Sequence, residues 1–193
     1  MTVAGLVLAA GESRRLGRPK ALLEIDGQRL VDRAVVVLHE AGCTRVYVVA
    51  GAAPLGEVQA QASGPVIVVD NLDWPSGMGS SVRRGLDSVT EEAVVVMVVD
   101  TPGIGAAVVR RLIDAYTAGA TAAVATYDGA PRNPVLLARE HFAGVSALAV
   151  DDVGARAYLA AHPDIVTRVE CSDVADPYDI DTPEDLRRGG LSQ

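Results

Sequence analysis

Lysine is almost missing from this chain: Lys20 is the only one in 193 residues, and the other basic residues are all arginines. Aromatic residues are scarce, with one Trp, one Phe and five Tyr, so any core must be built from Val, Ala and Leu. The two cysteines, Cys43 and Cys171, lie far apart and form no CxxC pair, which excludes a disulfide scaffold and a thiolate zinc site. A reduced, cytoplasmic protein is the expectation. His39, His141 and His162 lie in unrelated helical or pre-proline contexts, so neither a histidine-based triad nor a zinc site is expected. No apolar run approaches the ~18 residues that a membrane span requires. The apolar run from Val3 to Ala10 is preceded by no cation and followed by a polar loop, so it reads as a strand and not as a signal peptide. With a formal net charge of -8 and no broad basic face, nucleic acid is not expected as a partner.

What is present is a globular composition, 49% apolar, arranged as alternating strands and helices without repeats or a linker. Residues 1–193 are therefore read as a single domain. Val3–Ala9 is a continuous apolar run, as in a strand covered on both faces. Leu30, Ala34, Val37, Leu38 and Ala41 recur at helical spacing up to Gly42, and Arg45–Ala50 is a second strand. A short helix near Glu57–Ala62, a strand Pro65–Val69, a loop Asn71–Gly79, a helix Ser80–Val89, a strand Ala93–Val99 and a helix Ala106–Ala118 follow. Beyond Tyr127 the pattern loosens. Strands are expected at Thr121–Thr126, Pro134–Ala138 and Ile165–Val169, with helices at Gly154–Ala161 and Pro183–Arg188. Such alternation implies an α/β fold, three layers deep, around a mostly parallel central sheet. Ligands of such sheets sit at the carboxyl ends of the strands.

Four of the seventeen cations fall between Arg14 and Lys20, directly after the first strand and its Gly11 turn. In an acidic protein, a strand-end loop with Gly, Arg and Lys is suited to hold an anion. It matches neither the GxxxxGK[ST] phosphate loop nor the GxGxxG dinucleotide pattern. Asp100 ends the most apolar strand, where it is either a turn residue or a Mg²⁺ ligand facing bound phosphates. Asp179 and Asp181 offer a second carboxylate; in a strand their side chains would share one face. The loop Asn71–Ser81 is rich in small and polar residues that permit a close approach of backbone to ligand, or it is simply a loop capped by Ser80.

Taken in order, these segments resemble the nucleotidyltransferases of the molybdenum-cofactor type, within the larger NTP-transferase family. The resemblance rests on Leu8-Ala9-Ala10-Gly11 with Ser13, Arg15, Gly17, Pro19 and Lys20. It continues through Trp74 with Gly77-Met78-Gly79-Ser80-Ser81, then Val99-Asp100 with Pro102, then Asn133-Pro134-Val135. Asp152 with Gly154-Ala155-Arg156, and Asp179 to Asp185, complete it. It implies a Rossmann-like nucleotidyltransferase fold. A nucleoside triphosphate would be bound by Leu8, Ala9, Ala10, Gly11, Ser13, Arg15, Lys20, Asn71, Gly79 and Ser80. Arg15, Lys20 and Asp100 would be catalytic, and Asp100 and Asp181 would hold Mg²⁺ as the cofactor. A phosphorylated small-molecule acceptor of molybdopterin type would meet Met78, Ser81, Asn133, Asp152 and Arg156, and an oxidoreductase would receive the finished cofactor. The Leu-Ala-Ala-Gly form is similar to members that take CTP in preference to GTP. Two departures, Arg132-Asn133 in place of Gly-His and Asp151-Asp152 in place of Gly-Asp, fall on the acceptor side. Proteins of similar sequence described as NAD(P)H-dependent reductases of a nicotine pigment supply an alternative, and a non-catalytic nucleotide-binding protein a third.

Overall fold

The computed structural model describes residues 1–13, 16–58, 64–182 and 184–185. Its centre is a seven-stranded sheet built from β1 (Val3–Leu8), β4 (Arg45–Ala50), β5 (Val66–Asp70), β6 (Ala93–Val98), β7 (Ala122–Tyr127), β8 (Ala130–Ala138) and β9 (Val166–Glu170). The order across the sheet is β5-β4-β1-β6-β8-β7-β9. Only β8 runs antiparallel to its neighbours β6 and β7. A small hairpin, β2 (Glu24–Ile25) with β3 (Gln28–Arg29), precedes the first long helix.

The strands lie where the apolar runs place them. β1 and β6 are buried almost throughout, which explains why neither alternates polar with apolar residues. Both faces are covered. Helices α1 (Leu30–Glu40) and α3 (Ala106–Thr117) lie over one face, and their Leu30, Val31, Leu38, Val108 and Leu112 join one core cluster. Helices α2 (Met78–Ser88), α4 (Phe142–Leu148) and α5 (Arg156–Ala161) cover the other, contributing Val82, Leu86, Phe142, Val145 and Tyr158. Each fully buried Val or Leu contributes roughly 1.5–3 kcal/mol, so two such clusters compensate for the scarcity of aromatics.

Several details differ from the sequence expectation. Helix α2 begins two residues before Ser80, and Gly77 rather than Ser80 is its N-cap, in a left-handed conformation (φ 108). Helix α4 was not expected, because its seven residues are too few to show a period of 3.6. Residues 175–181 form no strand, so Asp179 and Asp181 are not held on one face by a ladder. Most of the expected helix at Glu57–Ala62, and of that at Pro183–Arg188, lies outside the described residues.

The chain runs outward from β1 through β4 to β5, then returns to the other side of β1 as β6. The reversal leaves a crevice beyond the carboxyl ends of β1 and β6, the position at which open α/β sheets bind ligands.

Candidate functional site

The loop leaving β1 is anchored to the sheet before it turns. The Ala9 N–H donates to the Val49 carbonyl at 3.0 Å, and the Ala52 N–H to the Ala10 carbonyl at 3.0 Å. Ser13 takes a left-handed conformation (φ 56), and its Oγ accepts a hydrogen bond from the Lys20 N–H at 3.1 Å. Lys20 then opens a single 3-10 turn, Lys20–Leu22. The loop thus closes on itself and turns its lysine back toward the strand ends.

The Lys20 ammonium donates to Asp100 Oδ2 at 2.8 Å and to Asp181 Oδ1 at 2.6 Å. Asp100 lies in the turn two residues beyond the end of β6, while Asp181 arrives from the far end of the chain. The terminal segment is fastened there by the Ile180 N–H, which donates to the Asp100 carbonyl at 2.9 Å, and by the fully buried Ile180 side chain. Gly103 makes room for the crossing: a Cβ there would lie 2.1 Å from the Asp176 carbonyl oxygen. Burial works against the charge on Lys20, but the hydrogen bonds and charges of Asp100 and then Asp181 outweigh it, so its pKa lies above the ordinary lysine value. Asp179 is close by and pairs with Arg132 at 3.5 Å. Burial first, and then the charge of Asp100, raises its pKa above the usual carboxylate range, against the opposing pull of Arg132.

Two carboxylates within 2.8 Å of one ammonium form a donor set of the size that Mg²⁺ takes from protein, since it fills its other positions with water and phosphate oxygens. Among the described residues, no group of three or more His, Cys, Asp or Glu could form a self-sufficient metal cage. The residues therefore fit a divalent ion shared with a phosphate ligand.

A cleft of about 610 Å³ opens over this cluster, lined by Leu8, Ala9, Ala10, Gly11, Ser13 and Lys20 from the loop, by Asp100 and Asp181, and by Trp74, Gly77, Met78, Ser81 and Asp152 opposite. A second cavity of about 490 Å³ adjoins it and shares Leu8, Met78, Val98 and Asp152 with it. Asn133 and Arg156 line the second cavity, as do Arg132 and Arg168. The partition between the two comes from tight backbone packing. A Cβ on Gly77 would lie 2.4 Å from the Asp151 backbone, and one on Gly79 would lie 2.5 Å from the Ala149 carbonyl oxygen. The start of α2 is thereby pressed against residues 149–152, and the Gly79 N–H donates to the Asp151 carbonyl at 2.8 Å.

Most of the nucleotide-, acceptor- and metal-binding residues expected from sequence line one of the two cavities; among the described ones, Asn71, Gly79 and Ser80 line neither. Asn71 is buried and its Nδ2 donates to Ser80 Oγ at 2.9 Å and to Ser81 Oγ at 3.1 Å. Ser80 Oγ donates in turn to the Gly77 carbonyl at 2.8 Å. Asn71 and Ser80 therefore brace the start of α2, and Gly79 is a packing position. Ser81 lines the first cleft rather than the second. Arg15 lies outside the described residues. Arg168 was missed, because only the strand register reveals that it borders a cavity.

The matched profile settles the family. Residues 5–166 match the MobA-like NTP transferase domain. The chain belongs to this nucleotidyltransferase family. Over 96% of its length it is 35% identical to the nicotine blue oxidoreductase of Paenarthrobacter nicotinovorans, of which it covers 95%. It is 29% identical to the molybdenum cofactor guanylyltransferase of Rhodobacter capsulatus over 97% of the chain and 95% of that protein. Among solved structures, Rv0371c from Mycobacterium tuberculosis in complex with manganese superposes with a TM-score of 0.72 at 26% identity, covering 97% of each chain.

Proposed function

We propose that this member of the family transfers a nucleoside monophosphate from a nucleoside triphosphate to a phosphate-bearing acceptor and releases pyrophosphate. The observation that carries the reading is the meeting of Lys20, Asp100 and Asp181 in the cleft at the strand reversal. In this reading the triphosphate lies along Gly11–Lys20, and the acceptor occupies the adjoining cavity at Met78, Asn133, Asp152 and Arg156. A phosphate oxygen of the acceptor attacks the α-phosphorus, the bond to the bridging oxygen of the β-phosphate breaks, and its electron pair leaves with pyrophosphate. No covalent enzyme intermediate is needed; the protein's part is to position two anions and to offset their charge.

Asp100 and Asp181 would hold Mg²⁺, whose charge offsets that of the phosphates. With these carboxylates on a divalent ion, the Lys20 ammonium would be free to hold phosphate oxygens. Ser13 keeps the lysine's backbone fixed through that exchange. The Leu8-Ala9-Ala10-Gly11 form supports CTP as the nucleotide, whereas the Rhodobacter relative's name supports GTP and an acceptor of molybdopterin type.

A second reading, reduction of a pigment-like substrate by NAD(P)H, is favoured by the 35% identity to the nicotine blue oxidoreductase. Titration with CTP, GTP, ATP and NADPH, each with and without Mg²⁺, separates the two. Mg²⁺-dependent triphosphate binding with pyrophosphate release on adding acceptor supports transfer. Metal-independent NADPH binding without triphosphate binding overturns it in favour of reduction.

A further inference from the structure

The second cavity has a floor whose chemistry is read from strand register. Val96 of β6 pairs with Val135 of β8, Val135 pairs with Val124 of β7, and Val124 pairs with Arg168 of β9. All four line the cavity, so they form one row of three valines ended by an arginine. The row crosses three strand spacings, about 14 Å. The Arg168 side chain is exposed on the edge strand and forms no ion pair or hydrogen bond among the described residues. In a protein of net charge -8, an unpaired guanidinium at the end of an apolar floor is a local anion site. The other end of the row opens, through Met78 and Asp152, into the cleft of Lys20 and Asp100.

We propose that the acceptor carries a second anionic group, held by Arg168, at the far side of an apolar or flat middle that lies on Val96, Val135 and Val124. This rests on the nucleotidyl-transfer reading, in which the reacting phosphate lies at the near end. The valines disfavour a polyhydroxylated middle, because hydroxyls laid on them lose water without gaining a partner. Arg168 and the reacting centre thus measure the acceptor, an anion at each end on the order of 10 Å apart once the reach of the arginine is allowed for. Arg132 is less suited to the distal group, since it already pairs with Asp179 and donates to the Pro177 carbonyl.

The test is direct binding by calorimetry, without nucleotide. The probes are ω-phosphonooctanoate, octylphosphonate, which lacks only the distal carboxylate, and glucose 6-phosphate. The dicharged probe is expected to bind the wild-type chain about tenfold tighter than octylphosphonate, the scale of one charge-assisted hydrogen-bonded contact. Arg168→Gln should erase that advantage and leave octylphosphonate affinity unchanged, while Arg168→Lys should retain part of it. Equal binding of the two alkyl probes, an advantage that survives Arg168→Gln, stronger binding of glucose 6-phosphate, or no binding of any probe would each overturn the proposal. Failure of pyrophosphate release with an intact Arg168-dependent preference would instead sink the transfer reading and leave the anion site standing.

Discussion

Replacing Lys20 by alanine should change two measurements in opposite directions. Lys20 is mostly buried, with 14% of its side chain exposed, and it is the cation that bonds Asp100 and Asp181. In the proposed reaction it moves to phosphate oxygens, so its loss removes one electrostatic partner of the transition state. Such losses typically cost roughly 10²–10³ in turnover. The carboxylates, however, lose a competitor. A unit charge pair near 4 Å is worth about 4 kcal/mol at an effective dielectric of 20, and most of that is returned because the ammonium is resolvated when displaced. A net gain of about 1.4 kcal/mol, or roughly tenfold, in divalent-ion affinity is expected. Pyrophosphate release measures the first effect, and Mn²⁺ binding to the nucleotide-free protein, followed by electron paramagnetic resonance, measures the second. A misfolded variant would lose both. Undiminished turnover, or weaker Mn²⁺ binding in a folded variant, would refute the reasoning.

Two more outcomes follow from the same geometry. Because the pKa of Lys20 is raised, its stabilising contribution is complete below the ordinary lysine pKa of 10.5 and is lost as pH rises through the higher folded value. Urea unfolding from pH 8 to 11 should therefore show a loss of stability above about pH 10 that is smaller in Lys20→Met. Asn71→Ala should lower stability by about 1–3 kcal/mol, since the hydroxyls of Ser80 and Ser81 lose a buried partner. Nucleotide affinity of that variant should stay within about threefold of wild type, under 1 kcal/mol. A loss of affinity without a loss of stability would place Asn71 on the ligand after all.

Much of the fold is legible in the chain because its strands are buried on both faces. Continuous apolar runs such as Ala93–Val98 then mark strands without ambiguity, and Gly42 marks the end of α1 through a conformation that other residues rarely adopt. Short elements were not legible. The seven residues of α4 and the two-residue strands β2 and β3 owe their form to what they pack against. The stretch around Asn71 was misleading for a related reason. Its Asn and Ser side chains have the chemistry to hold a ligand, and only burial shows that they hold each other.

Local chemistry therefore determined that a cationic loop follows β1, that a carboxylate ends β6, and that both face the same edge of a parallel sheet. Tertiary structure decided which partners meet there. Asp181 reaches Lys20 across 161 positions of chain because Ile180 is buried and hydrogen-bonded to the turn at Asp100. Arg168 ends a row of valines because parallel register sets it beside Val124. Spacing along the sequence cannot report either fact, since both arise from hydrogen bonds and packing between segments that share no local pattern.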